Sequence, residues 1–433
     1  MDCVRFYNAR MLDIFTGKIT RGSLITQGSK ILKVLNEGED AKLNNACYTS
    51  QINCKGSLLI PAFKNAHSHS PMTILRGAAE DMVLTDWLYK VVFPMEAKLT
   101  KEDIYWGTKL AVMEMLSSGI CATFDMYFFT PSSARAFIEA GFKVCFCSSV
   151  SGGFTKDELQ KSLSVLESEY ETINSLSPLV KYYAGMHAEY TASDALVKEL
   201  SKFVNNKKIP FFTHMSEAVG ESEGCIKRHG MTPASYFASS GLWNYGGGVF
   251  HGVHVTDEDI ALMKKHNISV GINACCNAKI ASGIAPVLKY IQNGINVGVG
   301  TDGSASNNSL SMFKEMYTLV CTQRLSVMRP DVMSGFSALQ AATIGSARLM
   351  GLDNSLSLSE GQDADIVLIN TSMPNLQPES DNVSNLVYAA STANVKLTMV
   401  NGKILYRNGE YFIDVSPEDV IKHVNEIRNR ITI

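Results

Sequence analysis

"SLLIPAFKNAHSHSPMTILRG", residues 57–77, places two histidines one residue apart directly after an apolar run. The run reads as a buried strand. A two-residue spacing in extended chain turns both side chains, His67 and His69, to one face. The chain has nine histidines among 433 residues, so the meaning of the pair depends on whether other strands bring partners to the same place.

Apolar runs bounded by turn residues recur downstream: "CATFDMY", "KVCFCSS", "VKYYAGM", "IPFFTHM", "GGVFHG", "ISVGIN" and "INVGVGT". They alternate with helical patterns such as "KEDIYWGTKLAVMEMLSSG", "KDELQKSLSVLESEYETINSL" and "VTDEDIALMKKHN". That rhythm predicts repeated βα units and a parallel sheet. With "SLLIPAF" as the first strand there are eight units, and no glycine-rich dinucleotide fingerprint follows it. An α/β fold with a closed (β/α)8 barrel is therefore expected over a doubly wound sheet. The two ends differ in character. "VRFYNARMLD", "GSLITQGSKILKVL" and "YTSQINCKG" at the start, and "GQDADIVLIN" and "LTMVNGKILYRNGEYF" near the finish, read as strands joined by Gly/Asn turns. Residues 1–56 and 357–433 are expected to form one small β domain around a barrel of residues 57–356. "SPEDVIKHVNEIRNRI" adds a Ser-capped C-terminal helix.

Composition narrows the class. Hydrophobic residues make up 45% and charged residues 19%, and the formal net charge is -3, which recommends neither a nucleic-acid nor an acidic-membrane partner. The first residues lack the basic-then-apolar pattern of a secretory signal, and no apolar run approaches the roughly 20 residues of a spanning helix. The ten cysteines include Cys145 and Cys147 in an apolar run and the adjacent Cys275 and Cys276, but no C-x-x-C pair. Reduced, buried thiols in a soluble cytoplasmic protein are expected. A homo-oligomer is left open.

In a parallel barrel, reactive side chains stand at the C-terminal ends of strands. His67 and His69 follow the first run, His187 follows "YYAGM", His214 ends "IPFFT", His251 ends "GGVF" and Asp302 ends "INVGVGT". Singly, each has an ordinary structural reading; independent structural histidines would not gather at one end of one sheet. His229, His266 and His423 lie in polar surroundings and are expected to be solvated. His67, His69, His214 and Asp302 form a nitrogen/oxygen set suited to one divalent ion, zinc first and iron second. Such an ion lowers the pKa of water toward neutrality. A second metal would call for a bridging group such as a carboxylated lysine. In "KVCFCSSV" the only lysine, Lys143, stands at the start of the run. Glu217, three residues after His214, can pass a proton to a ring nitrogen, and His251 can orient or deprotonate the water with Asp302. "GTDGSASNNS" lacks the lysine and spacing of a phosphate loop; its small residues let the loop approach a substrate, with Ser306 the best contact.

The motifs "PAFKNAHSHSPMTILRG", "DWLYKVVFPMEAKLT", "HMSE", "HGVH", "ASGIAPV", "GTDGSASNNSL" and "GQDADIVLI" span nearly the whole chain. In them the chain resembles the amidohydrolase superfamily, in particular its methylthioadenosine/S-adenosylhomocysteine deaminase and chlorohydrolase branch. The resemblance implies a metal-dependent barrel with a flanking β-sandwich. It places His67, His69, His214 and Asp302 on the metal ligands and Glu217 and His251 on the proton-transfer residues. Glu96 falls on the carboxylate that accepts hydrogen bonds from ribose hydroxyls, and Trp87 and His187 on residues lining a nucleoside pocket.

Two departures stand out. Members acting on S-adenosylhomocysteine carry arginines in a stretch that here reads "VCFCSSVSGGFTKDELQ", with only Lys156. Lysine cannot reproduce the paired hydrogen bonds by which arginine clamps a carboxylate. The segment "NPxSN" reads "NACCN", with Cys276 at the serine position, a weaker hydrogen-bond partner. A hydrolytic deaminase of adenosine or a 5'-modified, uncharged adenosine is expected. The alternatives are the same machinery on guanine, a pterin or a triazine, or a non-catalytic scaffold, which would typically have lost metal ligands.

Overall fold

The computed structural model describes residues 2–40, 48–82, 86–380 and 383–432. Eight parallel strands make the barrel: Phe63–His69, Ile120–Asp125, Lys143–Cys147, Val180–Gly185, Phe211–Met215, Gly247–His251, Ile268–Ile272 and Val297–Val299. Each pairs with the next in sequence order. Most of their residues are buried, because the barrel interior covers one face and the helices the other. Closure occurs just past the last strand, where Asp302–Gly303 pairs in parallel with Ser68–His69. The Thr301 amide donates to the His67 carbonyl at 3.0 Å. Gly300 permits this approach: a Cβ there would meet the His67 backbone nitrogen at 2.7 Å. Closing the barrel therefore brings Asp302 beside the histidine pair.

The run "SLLIPAF", expected as the first barrel strand, divides between two sheets. Leu58–Pro61 pairs antiparallel with Ile366–Ile369 and parallel with Arg10–Met11. The Ala62 amide donates to Asp365 and the Phe63 amide to Gly119, each at 3.0 Å, so the chain changes sheets within one residue. The barrel strand is "FKNAHSH", and it contains the histidines rather than preceding them. An unbroken apolar run gives no local sign of such a switch.

The β domain is a nine-stranded mixed sheet drawn from both chain ends. It encloses its own core, including Phe6, Met11, Leu24, Leu59, Ile366 and Met399. Lys143 starts the third barrel strand and pairs with Asp363 at 2.8 Å and Asp365 at 2.6 Å. It is thus committed to an ion-pair cluster at the barrel end opposite the histidines.

The helices Lys101–Ser117, Lys156–Leu176 and Asp257–Lys265 fall on the expected patterns. So does the C-terminal helix Pro417–Ile431, whose first turn is capped by the Ser416 hydroxyl accepting from the Asp419 amide at 3.1 Å. Its buried face, Val420, Val424, Ile427 and Ile431, repeats at helical spacing. That face packs with Ile74, Leu75, Trp87 and Met95 on the barrel side rather than joining the β-domain core. Every described cysteine is unpaired, and all but Cys3 and Cys321 are buried; Cys47 lies outside the described residues.

Candidate metal centre and active site

Four atoms converge at the C-terminal mouth of the barrel. Asp302 Oδ1 lies 3.3 Å from His67 Nε2 and 3.2 Å from His69 Nε2. His214 Nε2 lies 3.1 Å from His67 Nε2 and 3.3 Å from His69 Nε2. Other contacts aim these rings. His69 Nδ1 donates to the Met126 carbonyl at 2.5 Å, and His214 Nδ1 donates to the His187 carbonyl at 2.7 Å. With those protons placed, both Nε2 atoms carry lone pairs, the arrangement a metal-ligating histidine needs. His67 stacks on Phe250, with centroids 3.8 Å apart. Ser68, between the two histidines, donates to Asp125 Oδ1 at 2.9 Å, which also accepts from the Ser70 amide at 2.6 Å. Asp125 thereby fixes the turn that follows the pair.

The set fits a divalent ion. Asp302 Oδ1 is buried yet accepts no hydrogen bond, which a buried carboxylate oxygen rarely tolerates. Burial disfavours a cation on His67, pushing it down to about 3, and His214 is held well below its ordinary value for the same reason. His69 moves the other way. Burial opposes its charge, but Asp302 and the Met126 carbonyl outweigh this and push it up to about 9. Asp302 itself stays well below the carboxylate range: burial opposes this, and the adjacent imidazoles of His67 and His69 prevail. Without an ion, the cluster balances its carboxylate with one proton; a divalent cation would supply that positive charge. His251 also lies within ligand distance of His67, His214 and Asp302.

Glu217 Oε1 is 3.7 Å from His251 Nδ1. Burial raises the Glu217 pKa, against the pull of His251. His251 Nδ1 donates to Asn277 Oδ1 at 2.9 Å, and Asn273 Nδ2 lies 3.4 Å from Nε2. Both His251 (φ 69°) and Asp302 (φ 60°) have left-handed backbones. Side chains other than glycine seldom adopt this conformation, and it gathers where function constrains geometry.

These groups open on a cavity of about 310 Å³ that is also lined by Trp87, Glu96, His187 and Ser306. All the residues expected at the site thus stand together. Trp87 and Glu96 come from consecutive helical turns, Trp87–Val92 and Phe93–Glu96. Glu96 Oε1 accepts from the Tyr127 hydroxyl at 2.5 Å, and burial pushes its pKa up to about 7 despite that bond. The Trp87 indole N–H is buried with no partner. Burial lowers His187 to about 4, and its Nδ1 is 3.2 Å from Thr191 Oγ1. Ser306, expected as a substrate contact, donates to Asp302 Oδ2 at 2.6 Å, so its hydroxyl also orients the carboxylate.

Asp125, Tyr127, Asn273 and Asn277 escaped the reading of the sequence. Asp125 ends the strand in "CATFDMY" and Tyr127 follows it, so the strand-end rule that found the histidines reaches them too. The three histidines expected to be solvated are half-buried, and each also has a partner. His229 Nε2 is 2.9 Å from Glu189 Oε1 with its side chain 15% exposed, His266 Nδ1 is 3.2 Å from the Trp243 carbonyl, and His423 stacks on Trp106 at 3.8 Å. Polar neighbours in sequence do not report what a helix presents to its packing partners.

The chain belongs to the amidohydrolase family, whose model matches residues 58–405. It is 35% identical over 409 residues to the 5'-deoxyadenosine deaminase of Methanocaldococcus jannaschii, covering 94% of this chain and 96% of the relative. It is 32% identical over 411 residues to the 5-methylthioadenosine/S-adenosylhomocysteine deaminase of Caldicellulosiruptor saccharolyticus, covering 95% and 94%. The structure of an adenosine deaminase from Xanthomonas campestris with bound zinc superposes with a TM-score of 0.93 at 26% identity, over 99% of this chain and 98% of that one. Atrazine chlorohydrolase from Arthrobacter aurescens, at TM-score 0.89 and 19% identity over 98% and 100%, shares the fold. Among the described residues, no helix is long and apolar enough to cross a membrane.

Proposed function

We propose that the protein is a metal-dependent hydrolytic deaminase of adenosine or of a 5'-modified adenosine with an uncharged 5' end, such as 5'-deoxyadenosine or methylthioadenosine. The observation that carries this reading is the sharing of one cavity by the histidine/aspartate centre, Glu217 and Glu96. With the purine ring set against Glu217, Glu96 on the same cavity wall would meet the ribose. The relatives named as deaminases of 5'-deoxyadenosine and methylthioadenosine support the substrate class.

His67, His69, His214 and Asp302 would hold the ion, and the N/O donor set favours zinc. Bound there, a divalent ion supplies the positive charge that makes water acidic near neutrality. The chain's own residues then manage the protons. His251 and Asp302 take a proton from the attacking water as its oxygen bonds to C6. Glu217, whose pKa burial raises, donates a proton to the neighbouring ring nitrogen, so charge does not build up on the purine. The proton taken from the water passes to the amino group, the C6–N bond breaks, and the remaining hydroxyl proton returns to Glu217 as the C6 carbonyl forms. Water and the adenosine thus become ammonia and the inosine analogue. Trp87 and His187 would flank the nucleoside, and Glu96 would accept from the ribose hydroxyls.

Charge governs which 5' tails the cavity can accept. Among the described residues lining the cavity there is no arginine or lysine; Ser149 and Ser151 line it after the third strand. A carboxylate-bearing 5' tail would find no cationic partner there. The test is ammonia release from adenosine, 5'-deoxyadenosine, methylthioadenosine, S-adenosylhomocysteine, guanine, a pterin and cytosine, with metal content measured on the same sample. Turnover concentrated on the uncharged adenosines, with zinc bound, is the expected result. Activity confined to free bases would leave Glu96 without its ribose role and overturn the substrate assignment.

A further inference from the structure

We infer that Glu221, a residue outside the cavity, positions Glu217 against His251 by holding the Ser216 peptide. The inference rests on the proposed function only for the reaction that reads it out. Glu221 stands in the first turn of the helix Val219–His229 and is buried. Its two carboxylate oxygens accept from successive backbone amides: Oε1 from Ser216 and Oε2 from Glu217, each at 2.8 Å. The Ser216 carbonyl in turn accepts from the Val253 and His254 amides, at 3.0 and 2.9 Å. One residue is therefore gripped on both sides. The helix after the fifth barrel strand holds its N–H, and the loop after the sixth, just past His251, holds its carbonyl.

Two features make the grip consequential. Ser216 has a left-handed backbone, φ 53°, and His251 at the end of the neighbouring strand has φ 69°. Serine leaves this conformation readily unless its surroundings enforce it. Furthermore, only a carboxylate offers separate acceptors to two adjacent N–H groups; a carboxamide has one, and its NH2 would face an amide hydrogen. The product of this arrangement is the 3.7 Å approach of Glu217 Oε1 to His251 Nδ1. Glu221 lines no part of the cavity, so its effect on turnover passes through backbone geometry.

The test compares wild type, Glu221→Gln, the double variant Glu221→Gln/Ser216→Gly, and Glu223→Gln, an exposed control on the same helix. Readouts are kcat and KM on whichever adenosine the wild type turns over best, zinc content, and crystal structures of the zinc-loaded proteins. Glu221→Gln is expected to lower kcat about 10- to 100-fold with KM nearly unchanged, the scale of a misplaced reactive group. Zinc content should stay at the wild-type value, and the Glu217–His251 separation should widen. Glycine accepts a left-handed backbone without strain, so Ser216→Gly should recover part of the lost kcat; a merely stabilising role for Glu221 would show no such rescue. Wild-type kcat and separation in Glu221→Gln would overturn the inference. So would loss of zinc in step with activity, or failure of both Glu221 variants to fold, since either would assign Glu221 to general stability. If the wild type deaminates nothing in the panel, the proposed function fails while the Glu217–His251 separation still decides this point.

Discussion

His67, His69, His214 and Asp302 stand on the first and fifth barrel strands and on the segment that closes the barrel. Trp87 and Glu96 stand instead on short helical turns between the first strand and the helix Lys101–Ser117, supported from beneath by the C-terminal helix. The two sides of the cavity therefore draw their rigidity from different sources. On the side proposed to hold the metal, His69 and His214 are aimed by backbone carbonyls, Asp302 by Ser306, and His67 by stacking on Phe250. On the substrate side, position comes from apolar packing among Met95, Trp87, Val424 and Ile427 and from the Tyr127–Glu96 hydrogen bond. Such a division lets the reacting centre stay constant while the wall that reads the substrate is altered by packing alone.

The division can be broken most directly at Asp302. Asp302→Asn should weaken zinc retention during dialysis against a chelator and lower turnover by about 10³-fold or more, because several kcal/mol of charge stabilisation is lost. An effect confined to KM would erase the distinction between the two sides. On the other wall, Glu96→Gln should raise KM for ribosyl substrates about tenfold, the cost of a weakened charged hydrogen bond, with zinc content unchanged. The pH dependence sharpens this. Burial raises the Glu96 pKa to about 7, so the carboxyl is mostly protonated below that value and ionised above it. KM for adenosine should therefore fall as pH rises through about 7, and the glutamine variant should lose that trend; KM measured on both proteins at matched pH checks it. The smallest effect is expected from the support layer. Ile427→Ala should cost about 2 to 4 kcal/mol of stability in denaturant melts and raise KM modestly, leaving zinc content and kcat nearly intact. A fall in kcat larger than the change in KM would mean that the C-terminal helix braces the metal side as well.

Much of the metal side was legible because strand-end position is a local property. An apolar run followed by a polar ligand-type residue announces both the strand and the side chain at its mouth, and that pattern picks out His67, His69, His187, His214, His251 and Asp302. Glu217 was legible by its spacing from His214. The supports were not. Asn277 and Asn273 act on His251 from the segment after another strand, and Glu221 acts on the Ser216 peptide from a helix whose sequence, "VGESEGCIKRH", reads as an ordinary surface helix. Hydrogen bonds made by single side chains leave no periodic trace in sequence.

By itself the sequence determined the alternation of strands and helices, the barrel, the family resemblance and the gathering of His67, His69, His214, His251 and Asp302 at the strand ends, since burial pattern and residue chemistry are written residue by residue. Tertiary structure alone decided that "SLLIPAF" splits between two sheets and that barrel closure sets Asp302 against His67 and His69. It also decided that the C-terminal helix braces the substrate wall and that the Ser216 peptide ties the Glu217 and His251 loops together. Each of these depends on which distant segments come within hydrogen-bonding or packing distance, and that is settled by closing the sheet and burying its apolar faces together rather than by any local stretch of chain.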